Sequence, residues 1–272
     1  MNKLVKLLIV LCCISLLATN VYAVDSSEAT NDEIYTNINQ GFTKPTKEQI
    51  KEEQEKFKKA EKYVKEKREK LKKAKGDIEI AAAGGVKVNA VGTFRQALSY
   101  TCGPAAARNL IKGYVDTNSW DQNFKATVPT ESTLRKDLGT TTAGTNFDAT
   151  KWQNTLNKYV PENGYLLSWG TSSGWESTLA SRVIYTIDYV YYITWGYGRS
   201  GFNVIGNINH GSTTTPIHDH YKNGAAHYIC IYGYNDINKM YYISDSNSAV
   251  PVTYKASYRN TANSTQARGI VW

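Results

Sequence analysis

Residues 96–107 read Gln-Ala-Leu-Ser-Tyr-Thr-Cys-Gly-Pro-Ala-Ala-Ala, a cysteine ahead of Gly-Pro and three alanines, with a glutamine six residues upstream. The run that follows Cys102 reads as a helix whose first turn holds the thiol. Pro104 is tolerated there because first-turn N–H groups have no intrahelical acceptor. A thiol attacks only as thiolate, and at a helix N-terminus beside a histidine its pKa falls from about 8.5 to roughly 3.5–7.5. Such a nucleophile needs a base, a group that orients the base, and donors for the developing oxyanion.

The chain offers a candidate for each role. Of its four histidines, His210, His218 and His220 lie in a stretch rich in Thr, Asn and Gly. His227 instead follows Gly224-Ala225-Ala226, small residues that permit close approach, and it opens an apolar strand. It is the preferred base; the alternative is a structural histidine at a sheet edge. His218 and His220 have the spacing of half a metal site, but no ligand cluster joins them, so they read as loop polarity and no metal or other cofactor is expected. Asp245 ends the strand that should pair with the His227 strand, where a carboxylate can hold the imidazole tautomer. A plain turn start is its alternative, and Asn247 is the reserve orienter. Gln96 supplies amide hydrogens for an oxyanion hole, a role worth about 10²–10³ in rate for one donor.

Length and charge narrow the setting. Residues 1–23 carry a basic start at Lys3 and Lys6, an apolar run from Leu7 to Ala18 and the small-residue end Val21-Tyr22-Ala23, the layout of a secretory signal. The expected product is secreted and extracellular, without a membrane anchor. Cys12 and Cys13 leave with the signal, so Cys102 and Cys230 remain. In an oxidising compartment two cysteines also suggest one disulfide. Strand alternation argues against it, since His227, Ile229 and Ile231 share one face while Tyr228, Cys230 and Tyr232 share the other. The formal net charge of +8 is concentrated in residues 44–75, which hold fourteen Lys or Arg against seven Asp or Glu. A basic segment of that kind is no footprint of a nucleic-acid surface, and no nucleic-acid partner is expected.

Those residues need elements to hold them. Residues 24–43 read as a flexible leader. Residues 44–75 read as a basic charged helix with Ile50, Phe57, Val64 and Leu71 every seven residues and Ala60 and Ala74 partly filling the second position. It is open whether this helix is solvated, a tether or prosegment, or docked on its own domain or on an acidic surface. Residues 76–93 read as a Gly/Ala-rich hinge. Its Gly84-Gly85 pair is either a joint or a cleavage point. A globular domain follows over 94–272. In it, Asp148 caps a helix bearing Trp152, Leu156 and Val160, and Ser173 to Glu176 has a capping-box pattern ahead of Leu179, Val183 and Ile187. The tyrosine-rich run 187–198 reads as packed strand. Helices first and antiparallel strands after give an α+β domain.

Gln96 with Ser99-Tyr-Thr-Cys-Gly-Pro-Ala, then Gly224 to Asp236 and Tyr241 to Asn247, resemble papain-like cysteine peptidases. The branch is the one related to bacteriocin-leader (double-glycine) peptidases, in its stand-alone secreted form. Residues 130–147 resemble a helix-and-loop segment of those domains. The resemblance implies a papain-like fold, with a helical part that starts at the catalytic cysteine and a C-terminal antiparallel sheet that carries His and Asp. It implies Cys102 as nucleophile, His227 as base and acid, Asp245 as orienter, and Gln96 with the Cys102 N–H as oxyanion hole, acting on a peptide or protein substrate. Rival readings are transfer of an acyl group to an amine, and a catalytically idle binding module at a cell-wall or protein surface. The chain has neither the transporter nor the ATPase part of leader peptidases proper, so their double-glycine substrate does not follow.

Overall fold

In the computed structural model, which describes residues 42–43, 45–74, 85–170, 173–194 and 197–272, the globular part is a curved antiparallel sheet with helices on both faces. The expected signal, most of the leader and residues 76–84 of the hinge lie outside the described residues. In chain order the elements are β1 (Phe42–Thr43), α1 (Lys47–Ala74), β2 (Val86–Val88), α2 (Cys102–Asn118), α3 (Glu131–Leu138), β3 (Phe147–Asp148) and α4 (Ala149–Tyr159). There follow β4 (Leu167–Ser168), α5 (Trp175–Asp188), the hairpin β5 (Tyr191–Thr194) and β6 (Tyr197–Arg199), and β7 (Val204–His210). A 3-10 turn, Asp219–Tyr221, leads into β8 (Ala225–Asn235), β9 (Met240–Asp245), β10 (Thr253–Ser257), α6 (Tyr258–Thr265) and β11 (Gly269–Val271).

The main sheet runs β10-β9-β8-β7-β11-β4. The central strand β8 alternates as expected. Ile229 and Ile231 join Leu179, Val183 and Ile187 of α5 and Ala262 of α6 in one buried cluster. The Cys102 helix, α2, packs on β8 from the other face, its Ala105, Ala107, Leu110 and Ile111 wholly buried. Burying a Leu or Ile side chain contributes about 1.5–3 kcal/mol, so this pair of apolar faces fixes the helix on the sheet. The α4 stripe holds as well: Trp152, Leu156 and Val160 are fully buried, and Asp148 caps the helix through Lys151 N.

Three expectations are corrected, and one left open is decided. The hinge ends earlier than residue 93, because Val86–Val88 pairs with Gly233–Asn235 on the edge of β8 that β7 leaves free. The helix expected from Ser173 starts later than the capping pattern implies: α5 begins at Trp175 behind Gly174, which sits at φ 69 and contributes no side-chain cap. The tyrosine-rich run is not packed strand. It forms the separate β5–β6 hairpin, with Tyr192 72% and Tyr197 61% exposed. Of the alternatives left open for the basic stretch, the structure supports docking on its own domain: α1 lies on α5 with one face, Ala60 and Val64 in the core and Phe57 against it, while most of its other residues are exposed. Its charges find partners there: Glu53 with Arg182, Lys67 with Asp188, Arg68 with Asp236.

Candidate active site

The thiol is placed by the start of α2. Thr101 ties the preceding loop by donating to and accepting from Leu98, so the chain enters the helix with Cys102 as its first residue. Gly103 is required by space, because a Cβ there would come within 2.5 Å of Thr145 Oγ1. The wall that carries Thr145 therefore closes directly over the first turn. Cys102 is 8% exposed, and its N–H belongs to the first turn, whose donors have no intrahelical acceptor and point at incoming negative charge.

The base and its orienter come from neighbouring strands. Gly224, at φ 121, turns the chain into β8, and His227 follows near the strand start. Asp245 ends β9 opposite Ile229, which places it on the same face as His227, two residues away. His227 Nε2 lies 2.7 Å from Asp245 Oδ1, both groups buried. With Nε2 held by the carboxylate, Nδ1 is the nitrogen left to serve Cys102, which lies close enough to act on the ring electrostatically. Burial pulls the imidazole down, but Asp245, by hydrogen bond and charge, and Cys102 outweigh it and push it up to about 9. Burial alone would raise Asp245; the hydrogen bond and charge of His227, with the Asn247 N–H and Tyr221, hold it below the ordinary carboxylate value.

Of the residues expected from sequence, the structure brings Cys102, His227 and Asp245 together. Asn247 supports Asp245 through its backbone N–H at 2.9 Å rather than replacing it. Gln96 stands beside His227 on the cleft wall, but its amide hydrogens go to the carbonyls of Leu98 and Ser99 at 3.0 and 3.2 Å. Reaching an oxyanion requires exchange of one of those bonds. His218 caps the 3-10 turn by accepting from His220 N, and His210 Nδ1 meets Gly211 O. Cys102 and Cys230 are both free thiols. The alternation argument against their bond needs amendment, since Tyr228, on the Cys230 face, lines the same cleft as Cys102. Cys102 shares its cavity with Ala226 and Tyr228 near the strand start, while Cys230 lies farther along the strand and is wholly buried.

Two cavities adjoin along Ser99 and Ala226; Cys102 lines the first and His227 the second. One of about 340 Å³ is walled by Cys102, Gly144, Thr145, Asn207, Tyr228 and Arg268. The other, about 570 Å³, is walled by Gln96, Leu98, His220, Tyr221 and His227. A chain laid across Ser99 and Ala226 would run from the Cys102 cavity into the His227 cavity. Sequence reading missed Arg268 and Tyr228 on one wall and Tyr221 on the other, since no local pattern marks them.

A family model described as "Peptidase_C39 like family" matches residues 88–267. Among solved structures, the chain is similar to a double glycine motif protease from an AMS/PCAT transporter, crystallised with its leader peptide. That protein is 16% identical, with 68% of this chain and 91% of that one covered and a TM-score of 0.38. It is also similar to a C39-like peptidase from Bacillus anthracis, 10% identical, with 68% and 96% covered and a TM-score of 0.39. No curated protein matches the chain.

Proposed function

The chain belongs to the Peptidase_C39 like family, and we propose that it is a secreted cysteine peptidase working through an acyl-thioenzyme intermediate. The observation that carries this reading is the buried relay in which Asp245 holds His227 Nε2 and leaves Nδ1 to Cys102. His227 holds the proton taken from Sγ, and the sulfur attacks as thiolate on the carbonyl carbon of a peptide lying across the two cavities. The Cys102 N–H at the head of α2 stabilises the oxyanion, joined by Gln96 once it gives up a loop carbonyl. The imidazolium then protonates the leaving amine. Water, deprotonated by His227, attacks the thioester and releases the acid. Export rests on the layout of residues 1–23.

A quenched-fluorescent peptide library, read by mass spectrometry against Cys102→Ala, tests the reading. Cleavage by the wild type alone supports it. Binding of peptides with no cleavage by either protein would favour the idle binding module. Adding hydroxylamine in the same assay separates water from amine as acceptor, because an acyltransferase would divert its product to the hydroxamate.

A further inference from the structure

Asp245 accepts more hydrogen bonds than one imidazole requires. Oδ1 takes His227 Nε2 at 2.7 Å and the Asn247 N–H at 2.9 Å. Oδ2 takes two phenol hydroxyls, Tyr221 at 2.9 Å and Tyr254 at 3.0 Å. The two tyrosines come from different elements, the 3-10 turn before β8 and strand β10. The carboxylate between them is wholly buried. We propose that Tyr221 and Tyr254 are positioning residues for the Cys102–His227–Asp245 relay, their hydroxyls converging on one carboxylate oxygen and thereby reserving the other for the imidazole. The inference rests on the reading of Cys102 as nucleophile.

The two oxygens of a carboxylate are chemically equivalent, and the torsion that exchanges them is broad. Neither is bound by its own chemistry to face the histidine. Two donors that converge on Oδ2 remove that freedom, because turning the carboxylate would break both bonds and strand a buried anion. Burial first, and the Asp245 charge second, push both phenols well above their ordinary value, so both stay protonated and keep donating. Asn247 Nδ2 donates to the Tyr221 oxygen at 3.4 Å, which favours pointing the Tyr221 proton at Asp245.

Tyr221 has a second hold on the relay. Its ring stacks on that of His227 with centroids 5.5 Å apart and planes 26° apart, covering one face of the imidazole. The other polar neighbours act elsewhere. Arg95 donates to the carbonyls of Asp245 and Asn247. His218 lies against the Tyr254 ring and His220 against that of Tyr221.

Phenylalanine keeps each ring, including the Tyr221 stack, and deletes only the hydroxyl. The test uses the full chain as wild type, Tyr221→Phe, Tyr254→Phe and the double variant, with Tyr241→Phe, a buried tyrosine stacked on Tyr258, as control. Two quantities are measured: the rate of Cys102 alkylation by iodoacetamide at pH 6, and the titration midpoint of the His227 ring by NMR. Each single variant leaves Oδ2 one donor, so alkylation is expected to slow about threefold. The double variant leaves none and should slow by about thirtyfold or more, beyond the product of the singles. The His227 midpoint should fall together with the rate, because a wandering carboxylate supports the imidazolium less. Tyr241→Phe should match wild type in both. If the double variant does not fold, the two singles against that control carry the same test. Undiminished alkylation with an unchanged or raised midpoint overturns the proposal, since the tyrosines would then only pack or dilute the charge. A wild type whose Cys102 resists alkylation while His227 still titrates high takes down the nucleophile reading itself, and the proposal with it.

Discussion

At His227 burial and pairing pull in opposite directions, and pairing wins. A folded-state value of about 9 against an ordinary 6.5 makes the imidazolium the resident form at neutral pH. The sign follows from linkage: a raised histidine stabilises the fold fully below about pH 6.5, and that contribution is lost as pH rises through about 9. Asp245, held low, contributes above the ordinary carboxylate range and loses its share as pH falls below it. Turnover is therefore expected to decline above about pH 9, where the acid for the leaving amine is gone; a rate flat to pH 11 would contradict it. The same pairing separates the two thiols. Iodoacetamide at pH 6 is expected to label Cys102 beside its imidazolium. Cys230, wholly buried and with its thiol pushed far up by that burial, should stay unlabelled in peptide mass maps. Gln96→Ala should lower turnover about 10²–10³-fold if the amide reaches the oxyanion. If it only ties Leu98 and Ser99, turnover should hold and the melting temperature drop. Cys102 and His227 were legible in sequence because each is a scarce residue type at the mouth of a recognisable element, and Asp245 because it ends the strand that pairs with the His227 strand. Tyr221 and Tyr254 were not, because among 20 tyrosines nothing local distinguishes one that meets a carboxylate from one that fills a core.

Elements were legible where a period of apolar residues coincided with one cap. The α4 helix had both, and β8 with β9 carried strand alternation across a polar turn. What sequence could not assign was destination. The stripe on α1 is too sparse to name a partner, yet the structure lays it on α5, and the decisive contacts are polar ones that no period reveals. Glu53 and Arg182 form a pair at 2.8 Å with side chains only 11% and 8% exposed, and Arg182 also lies over Phe57. Lys56 donates to the carbonyls of Asn163, Gly164 and Trp272. Breaking one half of such a pair leaves a buried charge uncompensated, at a cost of about 3–5 kcal/mol. Glu53→Ala is thus expected to lower the urea midpoint by that equivalent, while Glu66→Ala, on the exposed side of the same helix, should change it by less than about 0.5 kcal/mol. Equal effects would mean that α1 is a solvated appendage. The hairpin β5–β6 marks the opposite failure: its tyrosines looked like core by composition, and only the topology shows that the two strands pair with each other in a sheet separate from the main one.

For the molecule as a whole, the question left by the sequence is whether the Gly84-Gly85 pair is a place where the enzyme cuts itself. Its match to the preference of double-glycine peptidases is a coincidence of two common residues until geometry supports it. The architecture argues against cutting in cis. Gly85 O accepts a hydrogen bond from Asp236 N at 3.0 Å, and the next three residues are paired into the sheet. Val86 lies opposite Asn235, eight residues along β8 from His227. At about 3.3 Å per residue that is roughly 26 Å from the relay, and the bond would have to leave the sheet to reach the thiol. On the other side of the pair, α1 is bound to the domain by its buried contacts, so removing the segment would take Ala60 and Val64 out of the core and uncover the surface of α5. Wild type and Cys102→Ala, expressed identically and sequenced from the N-terminus, are therefore expected to begin at the same residue. A wild type starting at Val86 beside an uncut variant would show self-processing, and would require either cutting in trans or an opening of the β2 edge before the fold is complete.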